Sequence, residues 1–357
     1  NFGSIYSYFY RNPNFKFIDF TTALTKAYEI QGSLCLGTSL NQLGYDHVFY
    51  VKLASGAVFS SLLSKGNEKI VHRTINHILL DGPSLRSYRH FPNVGKRKSW
   101  AAADASKRGI ELAKISQLND EVYSSIQDDK NWGFEKNYLN DSEIKFGKEL
   151  NDWVIQNVLF KVLFPAEFHG QSAVEGAIKL SKEFNQNIDK VKKINIFTHE
   201  PAIRIIANKE NLSNASDRDH SLEYMVSAAL LFGELKYEMY GNDFSGLNKI
   251  ESLRKKIVVS EDSNFTKNYY EFSKRHISNS IEIVYDDNST SEKITIENPI
   301  GHPSRREEAI PLLKEKFISN VQNVLSLEKS MTLWEQVINL EKDDELTKFF
   351  NILQDDE

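Results

Sequence analysis

The amino-acid sequence predicts a mainly α protein, a helical-bundle domain interrupted by a smaller α+β domain. Three observations predict it. Apolar residues recur at helical spacing through the first 115 residues. Alternating, β-rich segments occur only between residues 158 and 305. Helical spacing returns from Glu307 onward. The implied divisions are a helical domain over 1–157, an α+β domain over 158–305 and C-terminal helices over 306–357. A chain of 357 residues is also long for a single core, so two domains are expected on size alone.

Composition narrows the class. A hydrophobic fraction of 40% and a charged fraction of 26%, with a net charge of -5, are those of an ordinary globular protein. The single cysteine, Cys35, excludes an internal disulfide framework, and its apolar setting SLCLG reads as a buried thiol. No early apolar run has the length or flanks of a signal peptide or membrane span. Asn1 is not an initiator methionine, which suggests a fragment or processed form.

In order along the chain, residues 1–18 are rich in Tyr, Phe and Asn without a period, and no element is predicted there. Leu24, Ala27, Ile30 and Leu34 place a helix over Asp19–Leu36, ended by Gly37. GYDHVFYVKLASGAVFSSLL reads as a loop carrying His47 that leads into a second helix. Ile70–Leu80 is a third amphipathic segment and Ser99–Ile115 a fourth, with Ser99 as its N-cap. Short connections suggest a bundle. Leu118–Asn151 is polar and reads as a long exposed connection. Val154–Phe164 is β-branched and aromatic, an extended segment ended by Pro165. Then follow a helix over Ser172–Phe184, a strand over Lys193–Thr198, and a hairpin of Ser280–Tyr285 and Lys293–Glu297 around DDNSTSE. The segments EAIPLLKEKFISNVQNVL, TLWEQVINL and ELTKFFNIL are the final helices. There is no internal repeat.

Four stretches carry candidate chemistry. Leu85–Ala102 (LRSYRHFPNVGKRKSWAA) holds Arg86, Arg89, His90, Lys96, Arg97 and Lys98 and no acid, within an acidic chain. A cationic loop feeding a helix N-terminus aims donors and the positive end of a dipole at one place, as an anion site requires. The plain alternative is a solvated basic loop, or one that holds nucleic acid nonspecifically. Second, Lys161, Glu167 and His169 flank Pro165 in FKVLFPAEFHGQ. A lysine in an apolar run needs a partner or a task, or else snorkels from a strand edge. Third, Asp217, Arg218, Asp219 and His220 precede an apolar helix in DRDHSLEYMVSAALLFG; an acid there is commonly an N-cap, and His220 and Tyr224 share a helix face. Fourth, His302, Arg305 and Arg306 in IGHPSRREEAIPLL read as solvated charges at a helix start. There is no glycine-rich phosphate loop, GxSxG or HExxH, and His169, His199 and His220 lack metal-ligand spacing, so no metal is expected.

Taken together, a series of long motifs resembles the MmgE/PrpD family, which includes 2-methylcitrate dehydratase and cis-aconitate decarboxylase. The motifs are EIQG at Glu29–Gly32, GYDHVFYVK at 44–52, SLRSYRHFPNVGKRKSWAAADA, NVLFKVLFPAEFHGQSAVEGA, THEPAIRII, DRDHSLEYMV and PIGHPSRREEAIPLL. They lie in the family's order between about Ala23 and Phe317. The resemblance implies a helical domain interrupted by an α+β lid, with the last helices returning to the first domain. It implies cofactor-free dehydration of 2-methylcitrate to 2-methyl-cis-aconitate, a step of the methylcitrate cycle in propionate catabolism. The alternatives are another tricarboxylate lyase of this fold, either cis-aconitate decarboxylase or citrate dehydratase, or an inactive truncated paralogue. Such a reaction needs a base at the carbon beside a carboxylate, an acid at the leaving hydroxyl, and cations for the carboxylates.

By the same resemblance, the pocket residues fall on His47, Lys98, Lys161, His169 and Tyr224, with His47, His169 and Tyr224 as proton-transfer candidates. Arg86, Arg89 and Lys98 are the expected carboxylate clamps, with His90, Arg97 and His220 as further substrate contacts. The implied partners are a tricarboxylate and a second copy of the chain, without nucleic acid or membrane. The implied compartment is cytoplasmic in bacteria or the mitochondrial matrix in fungi. Family members carry an upstream segment with an HPSDN motif that has no counterpart here. Tyr28 stands where His is usual, Gly37-Thr38 where Glu-Asn is usual, and Pro83 where Gln is usual. The expectation is that this chain turns over poorly while its full-length parent is a dehydratase.

Overall fold

A computed structural model describes residues 1–90, 92–118, 123, 125–184, 186–207 and 211–352. The chain forms two compact units, one of Asn1–Val158 with Asn320–Glu357, the other of Leu159–Ser319. The mainly helical class with a small α+β part is what the structure contains. No helix among the described residues is long and apolar enough to cross a membrane.

The first unit begins with helices α1 (Phe2–Arg11), α2 (Phe17–Gly37), α3 (Val48–Leu63), α4 (Glu68–Asp81) and α5 (Arg97–Ile115). Helix α3 is buried on every side from Val48 to Ser60, so it is the axis on which its neighbours pack. Helix α5 approaches it at Gly56 and Gly109. A Cβ on Gly109 would lie 2.5 Å from the Lys52 carbonyl oxygen, and one on Gly56 3.1 Å from the Gly109 carbonyl oxygen. Glycine at this crossing therefore sets how close the two backbones come.

Four expectations are corrected here. Helix α5 starts at Arg97, close to where it was expected, but Ser99 is not its N-cap: its hydroxyl donates to the Lys96 carbonyl within the first turn. The polar stretch from residue 118, part of which lies outside the described residues, is not exposed throughout. Its short helix α6 (Phe134–Tyr138) buries Phe134, which stacks on Phe49 with ring centroids 5.1 Å apart. The segment after Trp153 is not extended: it opens as helix α7 (Trp153–Asn157) and continues irregularly past Pro165. The buried Glu29 carboxylate accepts from the Ile155 and Val154 amides at 2.7 and 3.2 Å, capping α7 and overriding its β-branched composition. Cys35 is exposed, because it sits about 100° around α2 from the inward-facing Leu34.

The second unit carries α8 (Gln171–Phe184), β1 (Val191–Thr198), α9 (Glu200–Ile206), α10 (Ala215–Arg218), α11 (Leu222–Phe232), α12 (Leu247–Arg254), β2 (Ile257–Glu261), α13 (Ser263–Tyr270), β3 (Asn279–Tyr285), β4 (Ile294–Ile296) and α14 (Arg306–Val321). Its sheet has the order β2-β1-β3-β4, with β1 and β2 parallel and β3 antiparallel to both neighbours. The parallel pair requires the long crossover through α9–α12. The core joins α8 and α11 to the sheet through Ala173, Val174, Ala177, Met225, Ala228, Ile194, Ile196 and Ile281. Strand β2 had no counterpart in the sequence reading, since of its residues only Ile257 is buried.

Helices α15 (Leu327–Ile338) and α16 (Leu346–Ile352) belong to the first unit. There Leu346, Phe349 and Phe350 pack with Ile5, Phe9 and Phe20. Helix α1 itself went unread because Phe2, Tyr6 and Tyr10 stack along one side while Ile5 and Phe9 face inward.

The close helix crossing generates a test. Gly109→Ala is expected to lower stability by about 2 kcal/mol through overpacking, whereas in an open helix the change would stabilise by about 1 kcal/mol. All four tryptophans lie in the first unit, so their fluorescence in a urea titration reads this unit alone. A raised midpoint would show that the crossing has room to spare.

Candidate functional site

Each unit holds a cluster of titratable groups around a carboxylate. In the first, Gly44 takes φ +84°, a left-handed turn suited to glycine. Its carbonyl accepts from the Arg86 amide at 3.0 Å, and Ser84 O accepts from the Asp46 amide at 2.9 Å. This clip brings the basic loop against the start of α3. Asp46 is fully buried and accepts from Arg89 Nε at 2.8 Å, from the Val48 amide at 3.1 Å and from the Tyr88 hydroxyl. Burial opposes ionisation of Asp46, but the hydrogen bonds from Arg89, Tyr88 and Val48 outweigh it and hold the carboxyl below its ordinary range.

The predicted cations divide by environment. Arg86 is buried and spends its donors on Asn41 Oδ1 (3.0 Å) and His90 Nε2 (3.0 Å), with His47 Nδ1 at 3.4 Å. Arg89 is neutralised by Asp46. Arg97 lies over the Trp100 ring at 4.5 Å and pairs with Asp104 at 3.3 Å. Lys98 is half-buried in the first turn of α5, and His90 is exposed. His47 stands at the N-cap position of α3, its Nδ1 3.3 Å from Asp46. Desolvation, then the nearby Arg89 and Arg86, against the pull of Asp46, lower its pKa to about 4, so the ring is neutral at pH 7. A pocket of about 220 Å³ adjoins this loop, lined by Val48, Lys52, Asp81, Ser84, Arg97 and Arg108. A larger cavity of about 660 Å³, between Phe9, Ala23, Val58 and Leu62, is mainly apolar and includes none of the predicted residues.

In the second unit, Glu167 caps the single turn Phe168–Gly170 and accepts from the His169 amide at 2.8 Å. It also faces His169 Nδ1 at 2.9 and 3.0 Å. Burial works against this carboxylate, yet the charge and hydrogen bonds of His169, with His220 nearby, take its pKa down to about 2. His169 Nε2 lies 3.3 Å from the Tyr269 hydroxyl, and the fully buried His199 stacks on Tyr269 with centroids 4.8 Å apart. Asn279 of β3 donates to the His169 carbonyl at 2.9 Å. His220 pairs with Asp219 at 2.7 Å.

Three predicted residues sit differently from their expected settings. Lys161 is exposed, its ammonium 5.6 Å above the Phe168 ring, with no strand around it. Tyr224 is wholly buried and donates its hydroxyl to the Met239 carbonyl inside the core, with Tyr240 stacked on it. Arg305 is not a solvated charge: it bridges Glu175 and Glu308, each at 2.8 Å, and ties the start of α14 to α8. Asp46, Tyr88, Tyr269 and Asn279 had not been singled out. Asp46 alone left a signal, beside His47 in GYDH.

The buried His199 generates a pH test. Desolvation and the neighbouring His169 lower its pKa from 6.5 to about 4. The unfolded chain then binds the proton more tightly than the folded one, so stability falls as pH drops from 6.5 to about 4 and levels below that. The contribution is at most about 3 kcal/mol. Urea midpoints by circular dichroism at stepped pH should show a shallower fall for His199→Gln than for the wild type, and identical slopes would count against the assignment.

Comparison with known proteins places these clusters in a family. The MmgE/PrpD N-terminal domain matches residues 11–147 and the MmgE/PrpD C-terminal domain residues 164–342. The 2-methylcitrate dehydratase of Escherichia coli (strain K12) is 41% identical over 303 residues, 84% of this chain and 62% of that protein. The mitochondrial 2-methylcitrate dehydratase of Yarrowia lipolytica is 41% identical over 311 residues, 86% of this chain and 60% of that protein. The chain thus spans about three-fifths of the length of the curated relatives it matches. With both domain models matched in order and across most of its length, the chain belongs to the MmgE/PrpD family.

Proposed function

We propose that the protein is a hydro-lyase that removes water from 2-methylcitrate to give 2-methyl-cis-aconitate. The observation that carries the reading is the neutral His47 set between buried Arg86 and Asp46 at the edge of a cationic loop. A neutral imidazole beside a guanidinium is a base placed where an anionic substrate is attracted. The identity to enzymes named 2-methylcitrate dehydratase supports the same reaction.

In the elimination a base takes the proton from the carbon next to a carboxylate. The C–H pair becomes the double bond as the C–O bond breaks, and an acid gives the departing hydroxyl its proton. In the first unit His47 is the proton carrier, Lys98 the carboxylate clamp and His90 a further donor, while the buried Arg86 holds the loop through Asn41 and His90. In the second unit His169 is the proton carrier, with His220 and Lys161 as further donors. Arg89 and Arg97 serve mainly to shape the loop, because acids already occupy them. Tyr224 drops out as a proton carrier, because its hydroxyl is committed in the core. The balance closes with acid and base alone. A homodimer is part of the proposal, as is a setting in propionate breakdown.

The test separates holding from turnover. Calorimetric titration with 2-methylcitrate is expected to show binding that weakens at least tenfold in Lys98→Ala. Product analysis after incubation with 2-methylcitrate, citrate and cis-aconitate should find 2-methyl-cis-aconitate. His47→Asn and His169→Asn should each lower kcat by about 10²–10⁴. No binding of 2-methylcitrate, or turnover of cis-aconitate alone, would overturn the reading.

A further inference from the structure

We propose that Glu167 is a positioning residue that fixes His169 in its Nδ1–H tautomer, leaving Nε2 as the atom that takes up or returns the proton. This deepens the reading above and rests on it for the role of His169. The geometry comes first. Both carboxylate oxygens of Glu167 lie within 3.0 Å of Nδ1, and the same group accepts the His169 amide at 2.8 Å, so it cannot swing away without losing both. Asn279 of β3 holds the His169 carbonyl at 2.9 Å. The imidazole is thereby fixed at its backbone and at one nitrogen, while Nε2 faces the Tyr269 hydroxyl at 3.3 Å.

The tautomer follows from the donor inventory. An ionised carboxylate can only accept, so the proton between it and Nδ1 belongs to the ring. Against the cost of burial, His169 holds the Glu167 carboxyl far below its ordinary range, so Glu167 is ionised at neutral pH. Tyr269, whose pKa burial raises, remains a phenol, and its hydroxyl gives up the Nε2 lone pair before the substrate proton is taken. His199, centred 5.2 Å from His169, stays neutral at pH 7 and so adds no repelling charge when His169 becomes an imidazolium. In the reaction the substrate C–H bond breaks as the Nε2–H bond forms, and the positive charge created on the ring faces Glu167. A carboxylate that orients a histidine and stabilises its cation in this way is a recurrent device of proton-transfer sites.

The tautomer is readable without turnover, by long-range proton–nitrogen correlation spectra of the chain labelled with ¹⁵N histidine. The wild type is expected to show His169 protonated at Nδ1 at neutral pH. In Glu167→Ala the ring should shift toward the Nε2–H form. Glu167→Gln keeps the shape and the acceptor, so it should fold and retain Nδ1–H while losing the charge. In the dehydratase assay kcat should fall about 10–100-fold in Glu167→Ala, and about tenfold in Glu167→Gln, with KM changed less than about threefold. An Nε2–H wild type, an unaltered tautomer in Glu167→Ala, or wild-type kcat in Glu167→Gln would overturn the proposal. If His169→Asn retains full turnover while Glu167→Ala changes the tautomer, the catalytic reading of His169 fails and the control by Glu167 stands.

Discussion

A carboxylate removed from water must be given donors to replace the water it loses. That constraint shapes both units. Asp46 draws in Arg89, Tyr88 and the Val48 amide, and so binds the basic loop to the start of α3. Glu29 draws in the amides of Val154 and Ile155, and so binds α7 to α2. Glu167 draws in the amide and ring of His169. In each case one acid organises a stretch of chain that its own propensity would have left elsewhere, and losing a buried partner of this kind costs about 3–5 kcal/mol. The proton-transfer candidates His47 and His169 stand next to two of these acids. Their geometry is therefore a by-product of how the fold satisfies its buried charge.

Much of the helical framework was legible. Segments such as α4 carry one apolar stripe, and that stripe is a local property. The reading failed where the decisive partner was distant. Val154 and Ile155 look like strand residues until Glu29, 125 residues earlier in one of these bonds, supplies the cap. Ser99 looks like an N-cap until the basic turn before it extends the helix by two residues. Helix α1 hides its period because aromatic residues occupy its outer face as well as its inner one. Strand β2 is mostly exposed and so lacks the alternation that marks a half-buried strand.

The site was legible to the extent that it is local. Asp46 and His47 are adjacent, and Glu167 and His169 are two apart, so each dyad can be seen in the sequence. The groups that complete the second cluster are not local. Tyr269 reaches His169 across 100 residues and Asn279 across 110, brought there by the strand order. Charge state was least legible of all. A count of basic residues between 85 and 102 suggests a strong anion trap, yet Arg89 and Arg97 are already engaged by acids. The local ion pairs decide how much positive charge is left for a ligand.

The C-terminal helix α16 has a consequence for synthesis. Leu346, Phe349 and Phe350 complete a core that otherwise consists of residues near the start of the chain, among them Ile5, Phe9 and Phe20. The second unit is continuous from Leu159 to Ser319, so every one of its residues has left the ribosome before that core can close. The second unit can thus finish folding while the aromatic core of the first still waits for α16 to be made. Truncation before Leu346 would therefore spare the sheet of the second unit and leave the core of the first one open.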